Sequence, residues 1–360
     1  MVESAFLDKM KNIPKLRPWQ LNDWQKLRQY QVTNTLPQAL LITGSKGLAK
    51  YELAALWAKS LLCETILPGM LSDNSTMACG HCPSCELLQA GTHPDYMCIE
   101  PEEEGKAIKV DQIRKLVGFV SLTHSRGTMR VILVNPADSM NINAANSLLK
   151  TLEEPPENTI IILISSKPSA LPATIRSRCQ HFPVSTADSS TLKAWLAENT
   201  DNSDAELDLA LSLAENSPLD AKSYLDSSIS AVSNDLLNDW AMLASGAAKP
   251  SAIAEKWLKQ PENIPIKLVY TWVIDMIRYH SINNNDVTDI ESDVNHLLYH
   301  KDCTILKNLG LSVSLKRLFG IYDKVLEVLK LWNSSLNTQL ELESLLIQWS
   351  LIAQSKSKRS

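Results

Sequence analysis

A chain of 360 residues is too long for one ordinary core and is expected to fold as two or three domains. Its 44% hydrophobic content, with modest Gly and Pro, excludes a low-complexity or disordered chain. A net charge of −5 excludes a protein that coats nucleic acid by general basicity alone.

The N-terminal stretch MVESAFLDKMKNIPKL breaks its apolar residues with charges and has no apolar h-region, so it does not read as a secretory signal. No apolar run approaches the roughly 20 residues a bilayer span needs. The expected compartment is the cytoplasm, where seven cysteines are read as thiols or metal ligands rather than disulfides.

The first half alternates strands and helices. Strands are predicted over 39–43, 95–100, 129–134 and 159–165, the last two as continuous Val/Ile/Leu runs of the kind buried on both faces of a parallel sheet. Helical stripes lie between them: Leu53, Leu56, Trp57 and Leu61; Ile113, Leu116, Val117 and Val120; Ala145, Leu148, Leu149 and Leu152. The third is opened by Asn141 or Asn143 and stopped by Pro155-Pro156. This alternation predicts an α/β domain with a parallel sheet and flanking helices, ending near residue 186. Beyond residue 189 only helical stripes are found. They include Leu268, Val269, Trp272, Val273, Met276 and Ile277, and later Leu336, Leu340, Leu345 and Trp349. The tryptophans are read as helix-packing core rather than base-stacking platforms. The C-terminal SKSKRS is read as a solvated end.

Between the first strand and its helix stands GSKGLAKY, residues 44–51. Against the phosphate-binding pattern G-x-x-x-x-G-K-[ST], Gly44 and Lys50 fit; Ala49 replaces the second glycine and Tyr51 the small hydroxyl residue, while Gly47 adds a glycine inside the loop. Tyr51 cannot offer a small hydroxyl to Mg²⁺. The later strand that should end in acidic residues ends in Asn135-Pro136, with Asp138 beyond it and out of position. Both halves of the hydrolytic machinery are missing, so the loop is read as a relic without ATP turnover.

The run NPADSM (135–140), the helix AANSLLKTLEEPP (144–156) and TIRSRCQ (174–180) resemble the AAA+ sliding-clamp loaders. RPW (17–19), GTHPDY (91–96), IKVDQIR (108–114) and LNTQLELESLL (336–346) extend the resemblance over most of the chain. The resemblance implies an AAA+ core (1–186), a small helical lid (187–227) and an all-α collar for oligomerisation (228–360). The degraded motifs imply the family's non-hydrolysing stator. This is a non-catalytic part of a DNA polymerase holoenzyme, set between the clamp-opening delta subunit and the ATP-hydrolysing gamma/tau-type subunits. The sliding clamp and primer–template DNA would be its indirect partners, at the replication fork. By motif, Arg178 corresponds to an arginine finger given in trans to a neighbour's ATP, with Arg176 second; the plainer reading pairs Arg178 with a surface carboxylate. Leu219 stands where active relatives carry a nucleotide-sensing arginine.

Cys79, Cys82 and Cys85 have C-x₂-C-x₂-C spacing, which in a reducing compartment points to structural Zn²⁺ and calls for a fourth ligand. The resemblance gives Cys63 that place, with Cys98 and His81 in reserve, and makes residues 64–78 an inserted loop within a zinc module of about 63–98. Cys179 belongs to the Ser-Arg-Cys motif, and Cys303 is read as a buried thiol. Two rivals stand beside this reading. One is an autonomous P-loop ATPase of helicase-loader type. The other is a zinc-dependent DNA-binding module, disfavoured because residues 77–86 hold no Lys or Arg. Lys109, Arg114 and Lys115 are candidate DNA contacts.

Overall fold

The computed structural model describes residues 16–65, 78–103, 105–121, 129–227, 229–260, 263–284, 304–332 and 338–355. Most of the inserted loop, Cys303, Leu336 and the tail from residue 356 lie outside them. The chain divides into two compact units, Met1–Leu192 and Lys193–Ser360.

In the first unit the order is α1 (Leu21–Val32), β1 (Ala39–Thr43), α2 (Lys50–Leu62), α3 (Pro83–Ala90), β2 (Tyr96–Ile99), α4 (Val110–Val120), β3 (Arg130–Val134), α5 (Ile142–Glu153), β4 (Thr159–Ser165), α6 (Ala173–Arg176) and β5 (Gln180–Pro183); α7 (Ser189–Asn199) runs across the boundary into the second unit. The five strands form one parallel sheet in the order β2-β3-β4-β1-β5. Strand periodicity sends alternate residues to opposite faces, and two cores result. Leu40, Ile42, Val131, Leu133, Ile160 and Ile162 pack with α1 and α2 on one face. Leu41, Ile132, Val134, Ile161 and Leu163 pack with α4 and α5 on the other. Every residue of β3 and β4 is buried, as the unbroken apolar runs predicted.

Asn141, not Asn143, opens α5: its side chain accepts from the Ala144 N–H at 2.8 Å, a cap worth about 1 kcal/mol. Asp23 of α1 is fully buried and ties that helix to the chain beyond β5, accepting from the Ser185 N–H at 2.7 Å and its hydroxyl at 2.9 Å.

Among the described residues the second unit contains helices and no strand. They are α8 (Asp204–Leu213), α9 (Pro218–Asp226), α10 (Ile229–Ser245), α11 (Pro250–Trp257), α12 (Ile264–Asn284), α13 (Thr304–Ser312), α14 (Leu315–Leu331) and α15 (Thr338–Gln354). Its centre is aromatic. Trp240 stacks on Trp349 with centroids 4.3 Å apart, and Trp257 and Trp272 lie 6.4 and 6.3 Å from Trp240. All four are fully buried, as core residues should be. Leu340, expected in the same buried stripe, is instead 59% exposed. The inward face of α15 is Leu342, Leu345, Leu346 and Trp349, and a helix repeating every 3.6 residues turns Leu340 to the opposite side with Ile347 and Leu351.

Candidate functional site

Ligand sites in parallel α/β sheets form beyond the carboxyl ends of the strands. Gly44 follows β1, Glu100 follows β2, Asn135 follows β3 and Ser166 follows β4, so all four stand at that edge. The 44–49 loop is shut on itself there. Leu48 is buried in the sheet core, and a Cβ added at Gly44 would meet Leu48 Cδ1 at 3.4 Å, Val184 Cβ at 3.4 Å and Lys50 Cδ at 3.5 Å. The loop needs two left-handed residues, Gly47 at φ 75° and Ala49 at φ 58°. Alanine pays roughly 1–2 kcal/mol for that conformation. Buried Gln20 offsets it by donating to the carbonyls of Ala49 (2.7 Å) and Leu48 (3.3 Å), and the Trp19 indole donates to the latter at 3.2 Å. The RPW segment therefore pins this loop.

Lys50 opens α2 and is buried. Its ammonium donates to the Ser45 carbonyl at 2.6 Å and the Ser166 hydroxyl at 2.9 Å. Burial pushes its pKa down to about 8, against the opposing pull of Asp138 and Glu52. The lysine that would meet phosphate thus turns two of its three donors inward, to its own chain. Asp138, which chain distance set aside, is brought in by the short turn Ala137–Ser139, and its carboxylate accepts from the Ser166 N–H at 3.1 Å. Tyr51 sits beside Tyr96, Cys98 and Glu100; burial, then the charges of Cys98 and Glu100, hold its phenol far above the ordinary range and therefore neutral. The Asn135 amide donates to Glu100 at 3.2 Å, and Pro136 offers no side-chain ligand.

The four predicted thiols converge: the sulfurs of Cys63, Cys79, Cys82 and Cys85 all lie within 4.8 Å of one another, with Cys63–Cys82 at 4.0 Å and Cys79–Cys85 at 3.9 Å. A tetrahedral Zn²⁺ with about 2.3 Å Zn–S bonds needs S···S edges of about 3.8 Å, so the set fits that ion. Backbone N–H groups of Cys79, Cys82 and Cys85 donate to the sulfurs of Cys63, Cys79 and Cys82 at 3.3–3.4 Å, which stabilises thiolate charge. At Cys79 burial opposes ionisation, but hydrogen bonds from Thr65, His81, Cys82 and Cys63 outweigh it and bring the pKa to about 6. Cys85 is pushed the other way, by burial first and then by the neighbouring thiols. His81 turns its Nδ1 to the Cys79 carbonyl at 2.9 Å and Cys98 belongs to the Tyr51 group, so neither reserve ligand joins the cluster. The turn around the cysteines also holds more structure than expected, since Cys82 caps α3.

The GTHPDY segment is structural. Buried His93 meets the Ser84 hydroxyl at 2.6 Å and accepts the Asp95 N–H at 3.1 Å. The Asp95 carboxylate pairs instead with buried Arg130 at 3.6 Å, so the three residues do not form a nucleophilic relay.

Arg178, just past α6, is exposed and paired: Nε donates to Glu153 at 2.8 Å, Nη2 reaches the same carboxylate oxygen, and Nη1 donates to the Thr174 carbonyl at 3.0 Å. The Nε of Arg176 is buried without a hydrogen-bond partner among the described residues. Lys109 pairs with Glu102 and Arg114 with Asp111, while Lys115 is exposed. Leu219 lies in the first turn of α9. Sequence reasoning missed Gln20, Glu100, Glu153 and Ser166, whose roles rest on partners 25 or more residues away in the chain.

A family model described as DNA polymerase III, delta subunit, matches residues 19–188. The chain is 34% identical to the DNA polymerase III subunit delta' of Pseudomonas aeruginosa over 92% of its own length and 96% of that protein. It is also 34% identical to the delta' subunit of Escherichia coli, over 56% of this chain and 58% of that one. A more distant likeness, 31% over 61% of this chain and 40% of the other, is to the DNA polymerase III subunit tau of Bacillus subtilis. With the near full-length match foremost, the chain belongs to the delta-prime family of DNA polymerase III subunits.

Proposed function

We propose that this chain is the non-hydrolysing stator of a sliding-clamp loader. It would support ATP-dependent loading of the ring clamp onto primed DNA and lend Arg178 to the ATP of a neighbouring gamma/tau-type subunit. The observation that carries this reading is the closed loop. Lys50 is committed to Ser45 and Ser166, Tyr51 replaces the metal-binding hydroxyl, and β3 ends without a carboxylate. Arg178 stands at the surface on short, well-anchored structure, suited to meeting a partner. A guanidinium at a γ-phosphate stabilises charge that develops in the transition state, an effect worth about 10³–10⁵ in rate in other systems.

In this reading residues 1–186 form the core that meets neighbouring subunits, 187–227 a lid that no longer senses nucleotide, and 228–360 the collar. The outward stripe Leu340, Ile347 and Leu351 on α15 supports a collar role, because an apolar stripe on a helix is suited to meeting another helix. The delta subunit is the other neighbour, clamp and primer–template DNA are reached through the assembly, and the site of action is the cytoplasmic replication fork. No helix among the described residues is long and apolar enough to cross a membrane. Zn²⁺ held by Cys63, Cys79, Cys82 and Cys85 would secure the fold. A closed Cys₄ set leaves no open position for catalysis.

The test is Mg²⁺-ATP turnover by the purified chain beside clamp- and DNA-stimulated turnover of the ring with and without it. The reading expects no turnover from the chain alone and full stimulation only with it present; steady turnover by the isolated chain would favour the autonomous ATPase.

A further inference from the structure

A guanidinium stabilises a phosphate only when its free N–H groups are aimed, and it carries five of them. In Arg178 three are held: Nε and one N–H of Nη2 by Glu153 Oε1, and one N–H of Nη1 by the Thr174 carbonyl. Among the described residues, one N–H on each terminal nitrogen has no partner. With Glu153 on the Nε/Nη2 edge, the two terminal nitrogens keep donors to offer to the oxygens of one phosphate. The holding residue is itself fixed. Glu153 is the last residue of α5, whose Leu148 and Leu152 are buried in the same core cluster as Ile175 of α6. With the side chains 33% and 47% exposed, the ion pair contributes little to folding. Its main physical effect is to remove rotamer freedom from a long side chain.

We infer that Glu153 is a positioning residue for Arg178: it grips the inner edge of the guanidinium and leaves the outer edge open to a neighbour's triphosphate. This rests on the reading of Arg178 as a finger. The test compares stimulated ATP turnover of rings carrying wild-type chain, Glu153→Ala, Glu153→Gln, Arg178→Ala, or Glu153→Ala with Arg178→Ala, each shown to assemble by size-exclusion chromatography. Glu153→Ala should lower the Arg178-dependent part of kcat about tenfold, within the about 10²-fold that a 1 Å misplacement costs, and change KM for ATP far less. Glu153→Gln, which keeps an accepting Oε1, should recover most of the loss. The double variant should match Arg178→Ala alone, whereas a separate structural role of Glu153 would add a further loss. If Arg178→Ala is slow while Glu153→Ala runs at or above the wild-type rate, the positioning role is overturned and the finger stands. If Arg178→Ala changes nothing, the finger reading falls and this inference falls with it.

Discussion

Lys50 gives the sharpest physical prediction, because its burial leaves a signature that a solvated phosphate-binding lysine lacks. Its pKa falls from 10.5 to about 8 in the folded chain. Between those values the unfolded chain binds more protons than the native one, so stability rises with pH across the window. The contribution is fully present above about 10.5 and is lost as pH falls through about 8. At about 1.36 kcal/mol per unit, a shift of that size is worth about 3 kcal/mol, or about 2 kcal/mol once screening by water at the loop's mouth is allowed for. Lys50→Met removes the titration and leaves the other ionisable groups in place. Urea melts of both chains from pH 7 to 10.5 isolate it by subtraction. The wild type should gain about 2 kcal/mol on the variant over that range. A flat difference would mean that the ammonium is solvated and the loop open, and the case for a closed relic would be lost.

Three further outcomes follow from the packing and the cysteine cluster. One Zn²⁺ per chain should be measured by metal analysis and released by a chelator, and Cys82→Ser should lose the ion and unfold at lower temperature than wild type, because it removes one of the four thiolates proposed to hold Zn²⁺ while its hydroxyl can still cap α3. Trp240→Ala should cost about 3–5 kcal/mol in denaturant melts, as it empties the centre of a four-tryptophan cluster. Ile347→Asp should leave the chain's own melting within about 0.5 kcal/mol yet weaken ring assembly in sedimentation, because the residue is 47% exposed on the outward face of α15.

Much of the fold was legible because it rests on local periodicity. The runs of β3 and β4 could only be strands buried on both faces, and the stripes on α2, α4 and α5 appear as read. The strand β5 was missed because it lies at the sheet edge and buries only Phe182, so its residues never form an apolar run. Leu340 was misassigned because an amphipathic stripe does not say which side faces inward when both sides carry leucines. In the site, the cysteine spacing and the missing glycine and hydroxyl were plain in the sequence. The partners that shut the site were not, since Ser166 reaches Lys50 across 116 residues and Glu153 reaches Arg178 across 25. Asp138 shows the same limit from the other side: a turn of three residues brings in a carboxylate that chain distance had excluded.

The central claim is that ATP chemistry belongs to the neighbour while this chain supplies an arginine. The most direct measurement is stimulated ATP turnover of rings carrying Arg178→Ala or Lys50→Met, side by side and with assembly verified. The account predicts that Arg178→Ala removes most of the turnover at the one site this chain serves, while Lys50→Met leaves the rate at wild-type level. The reverse pattern, with Lys50→Met slow and Arg178→Ala unchanged, would contradict it and return the catalytic role to the loop at Gly44–Tyr51.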